Sequence, residues 1–145
     1  MYRRILVTLD HSAVDETILR HIEQLSVHIQ SEIILLHVAD GWAARYQDDL
    51  ALKDSEEIRE DRAYLVQMAA RLQARGMHVQ HFLAKGNPSD EIIKFAKEQQ
   101  CDLIAMSTHG HRFLADLLYG TTATKVRHAV EIPVLLIKAS AEAVA

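Results

Sequence analysis

Ile5-Leu6-Val7-Thr8-Leu9 runs into Asp10-His11-Ser12, and beyond it Val14, Ile18, Ile22, Leu25 and Ile29 recur at three- and four-residue steps. A short run of strand formers followed by one apolar helical stripe reads as strand, turn, helix. The next run, Ile33-Ile34-Leu35-Leu36-His37-Val38, is almost unbroken in its apolar character. That is how a strand covered on both faces reads, as in a parallel sheet.

The alternation continues outward. A stripe of Ile58, Leu65, Met68, Ala69 and Leu72 ends near Gly76, and His78 to Leu83 alternates weakly as a third strand. Gly86-Asn87-Pro88-Ser89-Asp90 is a turn into a helix carrying Ile92, Ile93, Phe95 and Ala96, with Pro88 suited to the first helical turn. Leu103 to Met106 is a fourth strand, Thr121 to Ala129 is expected to be helical after Gly120, and Val134 to Ile137 closes the series behind Pro133. Five strands alternating with about four helices, joined by right-handed crossovers, predict a single-domain, doubly wound α/β fold: a five-stranded parallel sheet of order 3-2-1-4-5 with helices on both faces. One domain spans 1–145, with 39–54 an irregular, mobile crossover containing Trp42 and Tyr46, and 139–145 a tail.

The length of 145 residues fits one domain. Sixteen basic residues against twenty acidic ones, a net charge of −4, have the wrong sign for a phosphate-backbone binder, so nucleic acid is not expected as a partner. No apolar stretch approaches the ~20 residues of a membrane span. The lone Cys101 cannot form an internal disulfide, which suits a reducing, cytoplasmic setting. Cys101 precedes a buried strand and is read as structural.

In a doubly wound sheet, ligands bind beyond the carboxyl ends of strands where the winding reverses. Asp10 lies at one such end, and Ser107-Thr108-His109-Gly110 at another. The second loop runs to Gly120-Thr121-Thr122, where a helix start would offer N–H groups and a favourable dipole to an anion. Asp10 is open to two roles, a ligand contact or a cap on the first helix, which Ser12 also suits. A triad reading of Asp10-His11-Ser12 fails because consecutive residues point apart. His109-Gly110-His111 lacks the spacing of a metal site, and His37, inside an apolar strand, is read as a hydrogen-bonded core histidine. Arg112, Lys125 and Arg127 are read as a solvated face sooner than as phosphate contacts.

These residues resemble the universal stress proteins, whose nucleotide-binding members carry Gly, two residues, Gly, nine residues, then Gly with Ser or Thr. Here the pattern is Ser107, two residues, Gly110, nine residues, Gly120-Thr121. The likeness extends to Ile5 to Asp10, Leu35-Leu36-His37-Val38, Gly86-Asn87-Pro88, Cys101 to Ile104 and Ile132 to Ile137, nearly the whole chain. It implies a stress-response regulator that binds ATP, alone or with Mg or Mn, at the carboxyl edge of the sheet. Asp10, beside Thr8 and Leu9, would meet the ribose or phosphates, Val38 would offer backbone hydrogen bonds to adenine, and Met106 would line the base pocket. Gly110, Gly120, Thr121 and Thr122 would surround the phosphates, with Ser107 and His109 in the same loop. Ser107 and Phe113 stand where glycines are found in relatives, and a Cβ at Ser107 would narrow the site. The alternatives are a nucleotide-free dimeric interaction module and a slow ATPase. The last strand, Val134 to Ile137, is expected at the sheet edge as a homodimer contact, and the protein partner is unknown.

Overall fold

The computed structural model describes residues 1–39, 56–108 and 116–139, with the backbone alone for 116–121. Among the described residues nine elements follow one another: β1 (Arg4–Leu9), α1 (Asp15–Ile29), β2 (Glu32–Ala39), α2 (Glu56–Gln73), β3 (His78–Lys85), α3 (Pro88–Glu98), β4 (Leu103–Thr108), α4 (Asp116–Ala129) and β5 (Val134–Lys138). The strands form one sheet in the order β3-β2-β1-β4-β5, and every pairing is parallel. This is the expected topology.

Alternation along the strands builds two apolar layers. Ile5, Val7, Leu9, Ile33 and Leu35 pack with Ile18, Leu19 and Ile22 of α1 and with Leu65, Ala69 and Leu72 of α2. Leu6, Ile34, Leu36, Ile104 and Met106 turn the other way, onto Ile92 and Ala96 of α3 and Ala123 and Val126 of α4. Ile5, Leu6 and Val7 are completely buried, at about 1.5–3 kcal/mol for each large aliphatic side chain withdrawn from water. That double burial makes β1 the central strand.

Local chemistry fixes the turns. Asn87 caps α3 by accepting from the Asp90 N–H at 3.2 Å, and Pro88 stands at its start. Gly76, at φ +88°, ends the turn after α2, a left-handed position that glycine adopts without a Cβ penalty.

Two expectations need correction. The helix expected after Gly120 begins at Asp116, so Gly120, Thr121 and Thr122 lie inside α4 and not at its N-terminus. Asp116 suits the positive end of a helix dipole, Leu117 and Leu118 are good helix formers, and a single interior glycine costs only about 1 kcal/mol relative to alanine. Neither Asp10 nor Ser12 caps α1: Val14 occupies that position with no side-chain cap. The acceptor is instead Asp15, in the first turn of the helix, which reaches back to the N–H groups of Asp10 at 2.8 Å and His11 at 2.9 Å.

Candidate functional site

The chain winds from β1 through β2 to β3, then crosses back to β4 on the other side of β1. Beyond the carboxyl ends of the strands at this reversal is a cavity of about 290 Å³, close to the lower end of the ~300–1,000 Å³ usual for small-molecule sites. Its lining includes Thr8, Leu9 and Asp10 from the end of β1, Val38 from β2, Met106 and Ser107 from β4, and Thr122 from α4. Seven of the residues singled out from the sequence therefore meet at one place. His109 and Gly110 lie outside the described residues, as do the side chains at Gly120 and Thr121.

The cavity lining combines apolar and polar groups. Leu36, Val38, Ile92 and Met106 supply aliphatic and thioether surface, while Thr8, Asp10 and Thr122 supply hydroxyls and a carboxylate. A planar heterocycle suits the first set, and a sugar or phosphate the second. Alternation sends Ser107 to the side of the sheet that Ala105 occupies, away from the Met106 side. Ser107 nevertheless lines the cavity, as do Leu9 and His37 from the same side of the sheet. Ser107 Oγ is buried and without a hydrogen-bond partner among the described residues.

Sequence reasoning missed Leu36, His37, Pro88, Ile92 and Ala123, which also line the cavity. His37 does have the hydrogen bond expected of a core histidine: Nδ1 lies 2.7 Å from the carbonyl oxygen of Leu9. It also meets Asp61 of α2, with Nε2 3.4 Å from Oδ2. The other carboxylate oxygen of Asp61 is 2.6 Å from His11 Nδ1, and the His11 ring stacks on Tyr64 at 4.1 Å between centroids. Tyr64 in turn donates to Asp15 at 2.6 Å. Burial is the largest influence on the Asp15 carboxyl and raises it above the ordinary carboxylate value, against the backbone and Tyr64 hydrogen bonds that pull it down. Burial and Asp15 together hold the Tyr64 phenol well above its ordinary value, so Tyr64 remains a donor.

Elsewhere, burial pushes the Cys101 thiol up to about 11, which suits a structural cysteine and not a nucleophile. Lys125 and Arg127 are exposed, as a solvated face requires. Among the described residues there is no group of three or more side chains fit to hold a metal ion, and no helix long and apolar enough to cross a membrane. Arg112, Phe113, Trp42 and Tyr46 lie outside the described residues.

The model of the universal stress protein family matches residues 1–138. The chain belongs to the universal stress protein family. Its relatives include the universal stress protein MJ0577 of Methanocaldococcus jannaschii, 28% identical over 155 residues covering 95% of this chain and 96% of the relative. Another is YxiE of Bacillus subtilis, 24% identical over 148 residues covering 95% of this chain and all of the relative. The structure of MJ0577 matches with a TM-score of 0.80 over 97% of this universal stress protein and 98% of that chain, at 28% identity. A universal stress protein from Archaeoglobus fulgidus, solved in complex with dAMP, shares the fold with a TM-score of 0.69 at 21% identity, covering 94% of this chain and 98% of that one. A further member, solved in complex with cAMP, has the same TM-score at 18% identity, covering 94% and 96% of the two chains.

Proposed function

We propose that this universal stress protein is a regulator that binds ATP in the cavity at the carboxyl edge of its sheet and signals through dimer or partner contacts. The observation that carries the reading is the convergence of Thr8, Asp10, Val38, Met106 and Thr122 on one cavity at the point where the winding reverses. Family members solved with dAMP and cAMP support an adenine nucleotide as the ligand class. In this reading adenine lies against Met106 and the end of β2, bonded to the Val38 backbone, and Asp10 meets the ribose or the phosphates. The triphosphate extends toward Thr122, with Gly110, Gly120 and Thr121 completing its surroundings. Among the described residues lining the cavity Asp10 is the one carboxylate, and it would be the protein's contact to any accompanying Mg or Mn.

Mass analysis of the protein as purified, followed by calorimetric titration with Mg-ATP after the ligand is stripped, tests the reading. Copurified adenine nucleotide and saturable one-to-one binding are expected. Protein that carries no nucleotide and gives no heat of binding would favour a nucleotide-free interaction module.

β5 supports the dimer part of the proposal. It pairs with β4 on one side and forms an edge of the sheet, and Leu136 on it is 38% exposed. An apolar edge strand offers unpaired backbone groups to a second chain. Leu136→Glu is expected to weaken self-association by roughly tenfold or more, since it would bury an unpaired charge, while leaving the monomer folded. Sedimentation equilibrium measures this, and an unchanged association constant removes β5 from the interface.

A further inference from the structure

The group formed by Asp61, His11 and His37 is not needed to explain the cavity, yet it is built against the cavity's rim. Asp61 comes from α2, and its side chain is 6% exposed. His37 and Leu9 both line the cavity, and they are register partners across β1 and β2. The Leu9 carbonyl can only accept, so His37 Nδ1 must carry its proton toward it. That leaves Nε2 facing the Asp61 carboxylate at 3.4 Å. In neutral His37 two lone pairs confront one another there, whereas in the imidazolium Nε2–H donates to Asp61. His11 has no such conflict: its Nδ1 donates to Asp61, and its side chain is 33% exposed, which gives Nε2 access to water. His37, 12% exposed at its side chain, has no comparable access.

We propose that Asp61 is a positioning residue for the nucleotide site, and that proton uptake by His37 closes the Leu9–His37–Asp61 chain and tightens nucleotide binding. The inference rests on the nucleotide reading above. Two effects act in the same direction. A closed chain fixes the ends of β1 and β2, which frame the cavity, and binding to a preorganised rim loses less conformational freedom. The added positive charge also offsets the Asp61 carboxylate beside a site for a polyanion. Histidine is the side chain whose ordinary titration falls between pH 5 and 8. Among the described residues, the other ionisable groups around His37 are His11, its ring centroid 6.3 Å away, Asp10 in the same cavity lining, Tyr64 and Asp15 behind His11, and Lys85. The last is on β3, two places beyond Leu83, the register partner of His37. Tyr64 stays protonated across that range.

The experiment compares ATP affinity at pH 6.0 and pH 8.5 in the wild type, His37→Asn and Asp61→Asn. Asn at 37 can still donate to the Leu9 carbonyl but has no proton to gain. The titration of ATP itself cancels in the ratio between proteins. Wild-type affinity is expected to gain roughly fivefold more on acidification than either variant, within the range usual for coupled equilibria. Imidazole nitrogen NMR of the ligand-free wild type should show His37 passing from the Nδ1–H form to the imidazolium over the same pH range, and Asp61→Asn should move that transition to lower pH. Equal pH ratios in wild type and His37→Asn, with ATP still bound, overturn the inference alone. No ATP binding at either pH, with the ring transition intact, overturns the nucleotide reading and with it the site to be regulated. If Asp61→Asn does not fold, His37→Asn with the ring spectra decides the matter.

Discussion

Replacing Asp10 with alanine is expected to weaken ATP binding by roughly 10- to 100-fold, the equivalent of about 1.5–3 kcal/mol for hydrogen bonds to a charged acceptor. The expectation follows from position. β1 is central, with Ile5, Leu6 and Val7 fully buried, so the residue just past its end is held on a rigid element, and Asp10 lines the cavity there. The variant also separates the two contacts open to Asp10. A carboxylate that accepts from ribose hydroxyls loses the same factor for adenosine as for ATP, with or without Mg. A carboxylate that acts through a metal on the phosphates loses affinity for Mg-ATP while leaving adenosine almost untouched. Calorimetry with ATP, Mg-ATP and adenosine against wild type, Asp10→Asn and Asp10→Ala distinguishes them. Affinities unchanged for all three ligands would remove Asp10 from the site.

What the sequence disclosed depends on how local the signal is. β1, β2 and β4 read clearly because strands buried on both faces are continuous apolar runs, and the stripes of α1 and α2 are long enough to show their period. The start of α4 was misjudged because Gly120 reads as punctuation, whereas in a helix flanked by good helix formers one glycine is a modest local cost. That the ends of β1, β2 and β4 meet was legible, since the topology alone brings them together at one cavity. Asp61, Tyr64 and Asp15 were not. Their contacts with His11, His37 and each other join positions about fifty residues apart in most cases, and nothing in the local pattern of α2 marks a buried aspartate as the partner of histidines on β2 and the turn after β1. His37 illustrates the middle case. Its burial and hydrogen bonding are readable from the apolar run around it, but its share in the cavity and its second partner arise from tertiary contacts, the latter with α2.

The same distinction governs stability at the turn between β1 and α1. Asp15 is 1% exposed and accepts from the N–H groups of Asp10 and His11 and from the Tyr64 hydroxyl, with Ser12 N at 3.4 Å. His11 there adopts φ +60°, a left-handed conformation that costs a non-glycine residue of order 1 kcal/mol and persists only where surrounding bonds impose it. Asp15→Ala removes the acceptor of all these donors at once and frees His11 to relax. The expected loss is about 3 kcal/mol, or roughly 6–12 °C in Tm for a domain of this size, read from urea and thermal unfolding. Tyr64→Phe, which removes one donor and keeps the stack on His11, should cost about 1 kcal/mol. Burial raises the Asp15 carboxyl above its unfolded value, so the folded state takes up this proton at higher pH than the unfolded chain does. The contribution of Asp15 therefore becomes more favourable as pH falls through the raised value and levels off below the unfolded one. The stability gap between wild type and Asp15→Ala should consequently widen on acidification toward pH 4. A gap that narrows instead would mean that the backbone and Tyr64 hydrogen bonds outweigh desolvation, and that Asp15 holds the turn chiefly as a stabilised anion.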